Sequence, residues 1–216
     1  MRLLCSVFLL ALSCLSQESR SALEADPRGW RDLTPAKNWK RVPIPSTAAL
    51  QSENQWRYDR NLGLLICTGD KGHELLRSNR EYKDFILHVE WRFRRAEGKE
   101  QPRYNSGVMV RSSADGEHFV QAQVGGGPNA WLFADYPVDG KKQRTNLRDS
   151  ITAERVRPAG EWNVYELTVR GSAVSLWVNG ATVGSYDKVP AERGYIGVEA
   201  EGFYIEWGNI RMKELK

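Results

Sequence analysis

The sequence predicts an all-β fold of the sandwich or barrel class, built as one domain. Three observations predict it. Apolar residues recur at every second position in several short runs, which is the period of a half-buried strand. Turn signals separate these runs at short intervals, and no run alternates with a helical pattern as a βα unit would. Helical periodicity is almost absent from the 216 residues, a length at which all-β chains are often single domains.

The elements follow in chain order. "MRLLCSVFLLALSCLSQ" sets Arg2 before an apolar run from Leu3 to Leu12, with small residues after it. That is the form of a secretory signal peptide, and the run is too short for a comfortable bilayer anchor. Residues 1–16 are read as the signal, cleaved after Ser16 or Ser13, so the protein is expected to be exported, periplasmic or secreted. The second cleavage would leave Cys14 at the new terminus, although "ALSC" is a poor lipoprotein box. Residues 17–27 read as a polar linker and 28–216 as the domain. "WRYDRNLGLLICTG" gives two short strands around Asn61-Leu62-Gly63. "DFILHVEWRFR" is the clearest strand, with Phe85, Leu87, Val89, Trp91 and Phe93 alternating against Ile86, His88, Glu90 and Arg92. "WNVYELTVRGSAVSLWVNGATVGSY" gives three strands, and Asn179-Gly180 marks a hairpin because both positions of a type I′ turn take a positive φ. The end of the chain reads as a final pair of strands turning near Gly202. The segment from Asp135 to Gly160 is charged and poor in apolar residues, so it reads as a long loop, either a lid or a solvated insertion.

Composition narrows the function. The formal charge of +4 is mild and its basic residues are scattered, which argues against nucleic acid as a partner. After the signal only Cys67 remains, so no intrachain disulfide is expected, and its apolar surroundings favour a small buried hydrophobe over a nucleophile. No Cys/His cluster has metal-ligand spacing, and no metal site is predicted. The sequence does not specify a cofactor. His73, His88 and His118 are scattered, so no Ser-His-acid triad can be assembled by spacing.

The candidate site lies in "YNSGVMVRSSADGEHFVQAQV". Asn105, Gly107, Met109 and Arg111 alternate with Val108 and Val110, and Gln121 and Gln123 alternate with Val120, Ala122 and Val124. In "YIGVEAEG", Glu199 and Glu201 alternate with Val198 and Ala200. If these strands share a sheet, six polar side chains share one face. Such residues are ordinary on a solvated sheet face. Two features favour a binding surface: Gln, Asn and Arg are poor strand formers, and Gly107 and Gly197 leave room for an approaching group. Amides, carboxylates and Arg satisfy hydroxyls that both donate and accept. Trp131, Phe133, Trp162 and Trp177 could stack on the apolar faces of sugar rings, against the commoner role of Trp in cores.

"EYKDFILHVEWRF", "NSGVMVR", "VQAQV", "RPAGEWNVYELTVRG", "LWVNG" and "GYIGVEAEG" with "NIRMKEL" occur in the order found in the 3-keto-disaccharide hydrolase family. The chain resembles that family from about Gly29 to Leu215. The resemblance implies a concanavalin-A-like jelly-roll sandwich and a 3-keto-glucoside 1,2-lyase or 3-keto-2-hydroxy-glucal hydratase activity. It implies an oxidised glycoside as the partner. On this sequence Glu201 or Glu199 would be the base, Arg111 would stabilise negative charge, and Asn105, Gln121, Gln123 and Trp131 would bind substrate. The chain also departs from the family. Gln121 stands where many members have Glu, and Glu199-Ala200-Glu201-Gly202 stands where many have Gln-x-His-Gly. Trp207-Gly208-Asn209-Ile210 replaces the Phe-Arg-Asn-Ile end. With the His base missing, either Glu201 replaces it or catalysis is lost and binding remains, as in a lectin-like module of the same fold. A further rival is an ordinary glycosidase using Glu199 and Glu201 as its carboxylate pair.

Overall fold

The computed structural model describes residues 18–125, 127 and 130–216. The expected signal peptide lies outside the described residues. Fifteen strands form among them. They are β1 (Arg31–Asp32), β2 (Trp39–Pro43), β3 (Trp56–Asp59), β4 (Leu64–Cys67) and β5 (Glu74–Ser78). Then come β6 (Phe85–Phe93), β7 (Asn105–Ser112), β8 (Phe119–Gly125), β9 (Leu132–Val138) and β10 (Lys141–Asn146). The last five are β11 (Asn163–Arg170), β12 (Ala173–Val178), β13 (Ala181–Tyr186), β14 (Tyr195–Ala200) and β15 (Ile205–Glu214).

Two antiparallel sheets stack as a jelly-roll sandwich. One runs β13-β12-β11-β6-β15-β4-β3, with β1 paired to β15, and the other runs β10-β9-β8-β7-β14-β5-β2. The core between them follows from the alternation. Phe85, Leu87, Val89, Trp91 and Phe93 of β6 are all at most 1% exposed. Each such side chain contributes about 1.5–3 kcal/mol by leaving water. Trp91 stands opposite Trp207 of β15 in register and meets the Tyr165 ring edge-on at 5.3 Å. The facing sheet supplies smaller residues, Val108, Val110, Val120, Ala122, Val124, Ile196 and Val198. Their strand neighbours point the other way. Val42, Leu75, Met109, Phe119 and Phe133 form a second, smaller cluster on the outer face of that sheet.

Several expectations change. The final two strands do not pair with each other: β14 joins one sheet and β15 the other, so the turn at Gly202 (φ 85) is a crossover between layers. Half of the expected loop is a hairpin, since β9 and β10 pair from Lys141↔Val138 to Asn146↔Phe133. The Asp139-Gly140 pair carries the turn with φ 51 and 74, the same chemistry as Asn179-Gly180 (φ 42 and 108). β10 escaped notice because it is an exposed edge strand with no apolar alternation. The expected linker is ordered too. α1 (Ala22–Ala25) starts from Ser21 in a capping box with Glu24. Glu166 of β11 accepts the Ala22 N–H at 2.6 Å and the Leu23 N–H at 3.1 Å, so this segment lies on the outer face of the other sheet. No helix among the described residues is long and apolar enough to cross a membrane.

Candidate active site

The outer face of the β7–β8–β14 sheet carries a cavity of about 410 Å³. Registers bring its walls together: β7 and β8 set Gly107 opposite Gln123 and Met109 opposite Gln121, and β14 sets Gly197 opposite Met109. The structure therefore gathers Asn105, Gln121, Gln123, Glu199 and Glu201 of the predicted set at one cavity. Gly107 is required there. A Cβ at that position would lie 2.3 Å from Gln121 Nε2 and 2.8 Å from Glu199 Oε2.

Glu199 is the hub. It is 4% exposed, and both its oxygens are engaged. His73 Nε2 donates to Oε1 at 2.6 Å, and Gln121 Nε2 donates to Oε2 at 3.1 Å. Gln123 Nε2 donates to Asn105 Oδ1 at 2.6 Å, which fixes the neighbouring amide. Burial alone would pull the His73 imidazole down. The Glu199 hydrogen bond, with the charges of Glu199 and Glu201, outweighs that and holds it above its usual 6.5. Glu201 is raised, first by burial and then by the Glu199 charge, with His73, Arg144 and an Asn105 hydrogen bond opposing.

Arg111 is corrected. It does not line this cavity. Between Ser112 and Met109 β7 takes one step more than β14 takes between Tyr195 and Gly197, which is a bulge. At that bulge Arg111 adopts φ 53, which breaks the alternation on which its placement rested. Its side chain is buried, donating to the carbonyls of Tyr82, Lys83 and Gly171 and to Asp84 Oδ1. Trp131 is beside the site rather than in it. It lines an adjoining cleft of about 760 Å³ that shares Asn105 and Gln123, and the Arg148 guanidinium lies 5.0 Å from its ring. Phe133 lines the first cavity. Trp162 and Trp177 do not: Arg92 covers Trp162 at 4.6 Å, and Trp177 donates to Ser19 Oγ. Cys67 is buried, and burial pushes its thiol up to about 12, so the apolar reading fits and a thiolate nucleophile does not.

Sequence reasoning missed three contributors. His73 precedes β5, and nothing in its local pattern links it to Glu199, 126 residues away. Asp135 and Arg144 arrive on the β9–β10 hairpin, where they are directly opposite. Arg144 Nε and Nη2 donate to the two Asp135 oxygens at 2.8 and 2.6 Å. The Asp139-Gly140 signal could have found that hairpin. An imidazole is nonetheless present at the site, because His73, just before β5, reaches Glu199. His73, Glu199 and Glu201 each offer a donor atom, all within 4.8 Å of one another. That nitrogen-and-carboxylate set has the composition of a divalent-cation site, although no metal-ligand spacing announced it.

The chemistry the arrangement allows is proton transfer under electrostatic control. It has a partly buried carboxylate with a raised pKa, an imidazole paired to a second carboxylate, amides able to bond hydroxyls, and a guanidinium on the same cavity. Comparisons identify the family and the fold. Residues 26–213 match a family described as 3-keto-alpha-glucoside-1,2-lyase-like domain. A comparison with curated protein sequences finds no match. Among solved structures, a carbohydrate-binding module from Bacillus subtilis has a TM-score of 0.61 at 14% identity, covering 84% of this chain and 97% of that one. A putative glycosyl hydrolase from Parabacteroides distasonis has 0.60 at 17% identity, covering 93% and 100%. A β-glucanase from Bacillus licheniformis has 0.52 at 13% identity, covering 84% and 97%. At such identities these three establish the fold.

Proposed function

This chain belongs to the 3-keto-alpha-glucoside-1,2-lyase-like family, which gives it a carbohydrate-related function, and from that premise we propose that it cleaves 3-keto-glycosides by 1,2-elimination and hydration. A ketone at C3 acidifies the hydrogen on C2. A base removes that proton, an enolate forms, and the group on C1 leaves; water then adds to the product. The observation that carries this reading is the Glu201–Glu199–His73 cluster on the cavity wall. Glu201 is the base, since its pKa is raised and a base poised nearer neutrality transfers protons more efficiently. Glu199 is already engaged by His73 and Gln121, and we assign it the role of holding His73. Gln121 therefore needs no acid or base function; its amide braces Glu199. Asn105, Gln121 and Gln123 orient sugar hydroxyls, and Trp131 in the adjoining cleft offers a stacking face to a sugar beyond the reacting ring.

The experiment is turnover of a 3-keto-glucoside by the purified protein, following loss of substrate and any 2-hydroxy-glucal intermediate. Glu201→Gln should abolish turnover and keep substrate binding; unchanged turnover would rule out Glu201 as base. Saturable binding by an inactive wild-type protein would establish the binding-module reading instead.

A further inference from the structure

Arg111 is engaged away from the cavity, so the proposed enolate lacks the cation that the sequence assigns to it. The β9–β10 hairpin supplies another. Arg144 lines the same cavity as Glu199 and Glu201, and its side chain is 57% exposed against 2% for Asp135. Its position is fixed in three ways. Two of its nitrogens clamp Asp135, its guanidinium lies 4.5 Å from the Phe133 ring centroid, and its backbone pairs directly with Asp135 across the hairpin. Nη1 has no hydrogen-bond partner among the described residues. Arg144 also acts electrostatically on the base, since its charge opposes the raised pKa of Glu201.

An exposed ion pair contributes little to stability, and a buried carboxylate is costly to desolvate. A buried Asp135 beneath a half-exposed Arg144 is thus a poor device for holding an edge hairpin. It is a good device for presenting a guanidinium, because the arginine loses its mobility before a ligand arrives. Lys142 is less suited. It lies between Glu117 at 3.3 Å and Asp135 at 3.7 Å, a single point charge already shared by two carboxylates.

We infer that Arg144 is a catalytic residue, donating Nη1–H to the C3 oxygen of a 3-keto sugar as negative charge develops there, and that Asp135 is its positioning residue. This rests on the elimination reading above. The base takes the C2 proton, the C2–H pair becomes the C2–C3 π bond, and the carbonyl pair moves onto oxygen against Arg144. That pair then returns to re-form C3=O, the C1–C2 double bond forms, and the C1–O bond breaks. The leaving oxygen takes the proton that the base removed, so no oxidant or reductant is needed.

The test uses methyl 3-keto-glucoside with wild type, Arg144→Ala and Arg144→Lys. Turnover and C2 proton–deuterium exchange in D₂O are both followed, because exchange isolates enolate formation from expulsion of the leaving group. Removing one oxyanion donor typically costs about 10²–10³-fold in kcat. Arg144→Ala should lose about 100-fold in both kcat and exchange, with a smaller change in KM. Arg144→Lys should fall between, and millimolar guanidinium should restore part of the Arg144→Ala rate. A kcat within threefold of wild type, a loss confined to KM, or no guanidinium rescue in a folded variant would overturn the assignment. If Arg144→Ala does not fold, Asp135→Asn with Arg144→Gln removes the stranded charge along with its partner, and the same readouts apply. Wild-type protein inactive on every 3-keto-glycoside would overturn the elimination reading itself, before any variant is made.

Discussion

Gly107→Ala offers a sharp way to disturb the site while sparing the fold. Gly107 lies in β7 outside the positive-φ region, so alanine brings no backbone strain. Its Cβ would meet Gln121 Nε2 at 2.3 Å, Gln121 Cδ at 2.4 Å and Glu199 Oε2 at 2.8 Å. Ordinary contact begins near 3.4 Å, so the Gln121 amide must retreat by about 1 Å and the Glu199 carboxylate by about half that. Every atom struck is the end of a side chain and belongs to the site. Overpacking of this kind costs about 1–3 kcal/mol. For a chain of this length that lowers Tm by roughly 2–12 °C. The functional cost is larger, because the 3.1 Å Gln121–Glu199 bond must break or stretch, and a misplacement of about 1 Å near the chemistry can cost about 10²-fold. The assay is kcat/KM on a 3-keto-glucoside beside a thermal melt. A folded Gly107→Ala protein within threefold of wild-type kcat/KM would refute the argument that this face is the working surface. Gly194→Ala is the contrast, since its Cβ would strike the Arg111 backbone carbon at 2.5 Å, where nothing flexible can yield, and the protein should fail to fold.

Other outcomes follow from the same contacts. His73→Gln removes a charge that lowers the Glu201 pKa, so the acid limb of the pH–rate profile should move to higher pH; an unmoved limb would separate His73 from the base. Because the folded pKa of His73 lies above 6.5, its stabilising contribution is full below 6.5 and is lost as pH rises through that folded value. The wild-type Tm advantage over His73→Gln should therefore shrink with rising pH. Arg111→Met strands the carbonyls of Tyr82, Lys83 and Gly171, and leaving a buried acceptor unsatisfied costs about 1–3 kcal/mol, or roughly 2–12 °C in Tm. The kcat of the protein that remains folded should stay within twofold of wild type, and a selective loss of kcat would return Arg111 to the site. Ser21→Ala removes the α1 cap at a cost of about 0.5–2 kcal/mol. Limited proteolysis before Asp26 should accelerate without change in turnover, and unchanged cleavage would mean that Glu166 alone holds the segment.

The fold was legible where burial is one-sided. β6 and β11 write their alternation plainly, because one face meets the sandwich core and a slip of one residue would expose it. β10 wrote nothing of the kind. Lys141, Lys142, Gln143 and Arg144 are exposed on an edge, and only the Asp139-Gly140 turn marked the hairpin. α1 was hidden differently. Its four residues are too few for a period, and its place depends on Glu166, more than 140 residues away.

The site was legible as a pattern and illegible as a constellation. Period-two alternation placed Asn105, Gln121, Gln123 and Glu199 on one face, because each keeps the regular pleat of its strand, and Glu201 follows directly on the end of β14. The same rule failed at Arg111, where one extra residue in β7 and a positive φ redirect the side chain. A bulge leaves almost no local signature, so alternation cannot be carried through it. His73 shows the opposite limit. No spacing argument joins it to Glu199, because the joining step is the pairing of β5 with β14, a long-range choice made by the whole sheet. A motif read along the chain expects a histidine at the end of β14, while the fold brings an imidazole to Glu199 from the segment before β5. A site of this kind is set by register, and Gly107 and Gly197 mark where that register brings side chains too close for a Cβ. The room those glycines leave is filled by Gln121 and Glu199 at Gly107 and by Leu75 at Gly197, so they mark tight packing beside the cavity, whose wall carries Glu199 and Glu201.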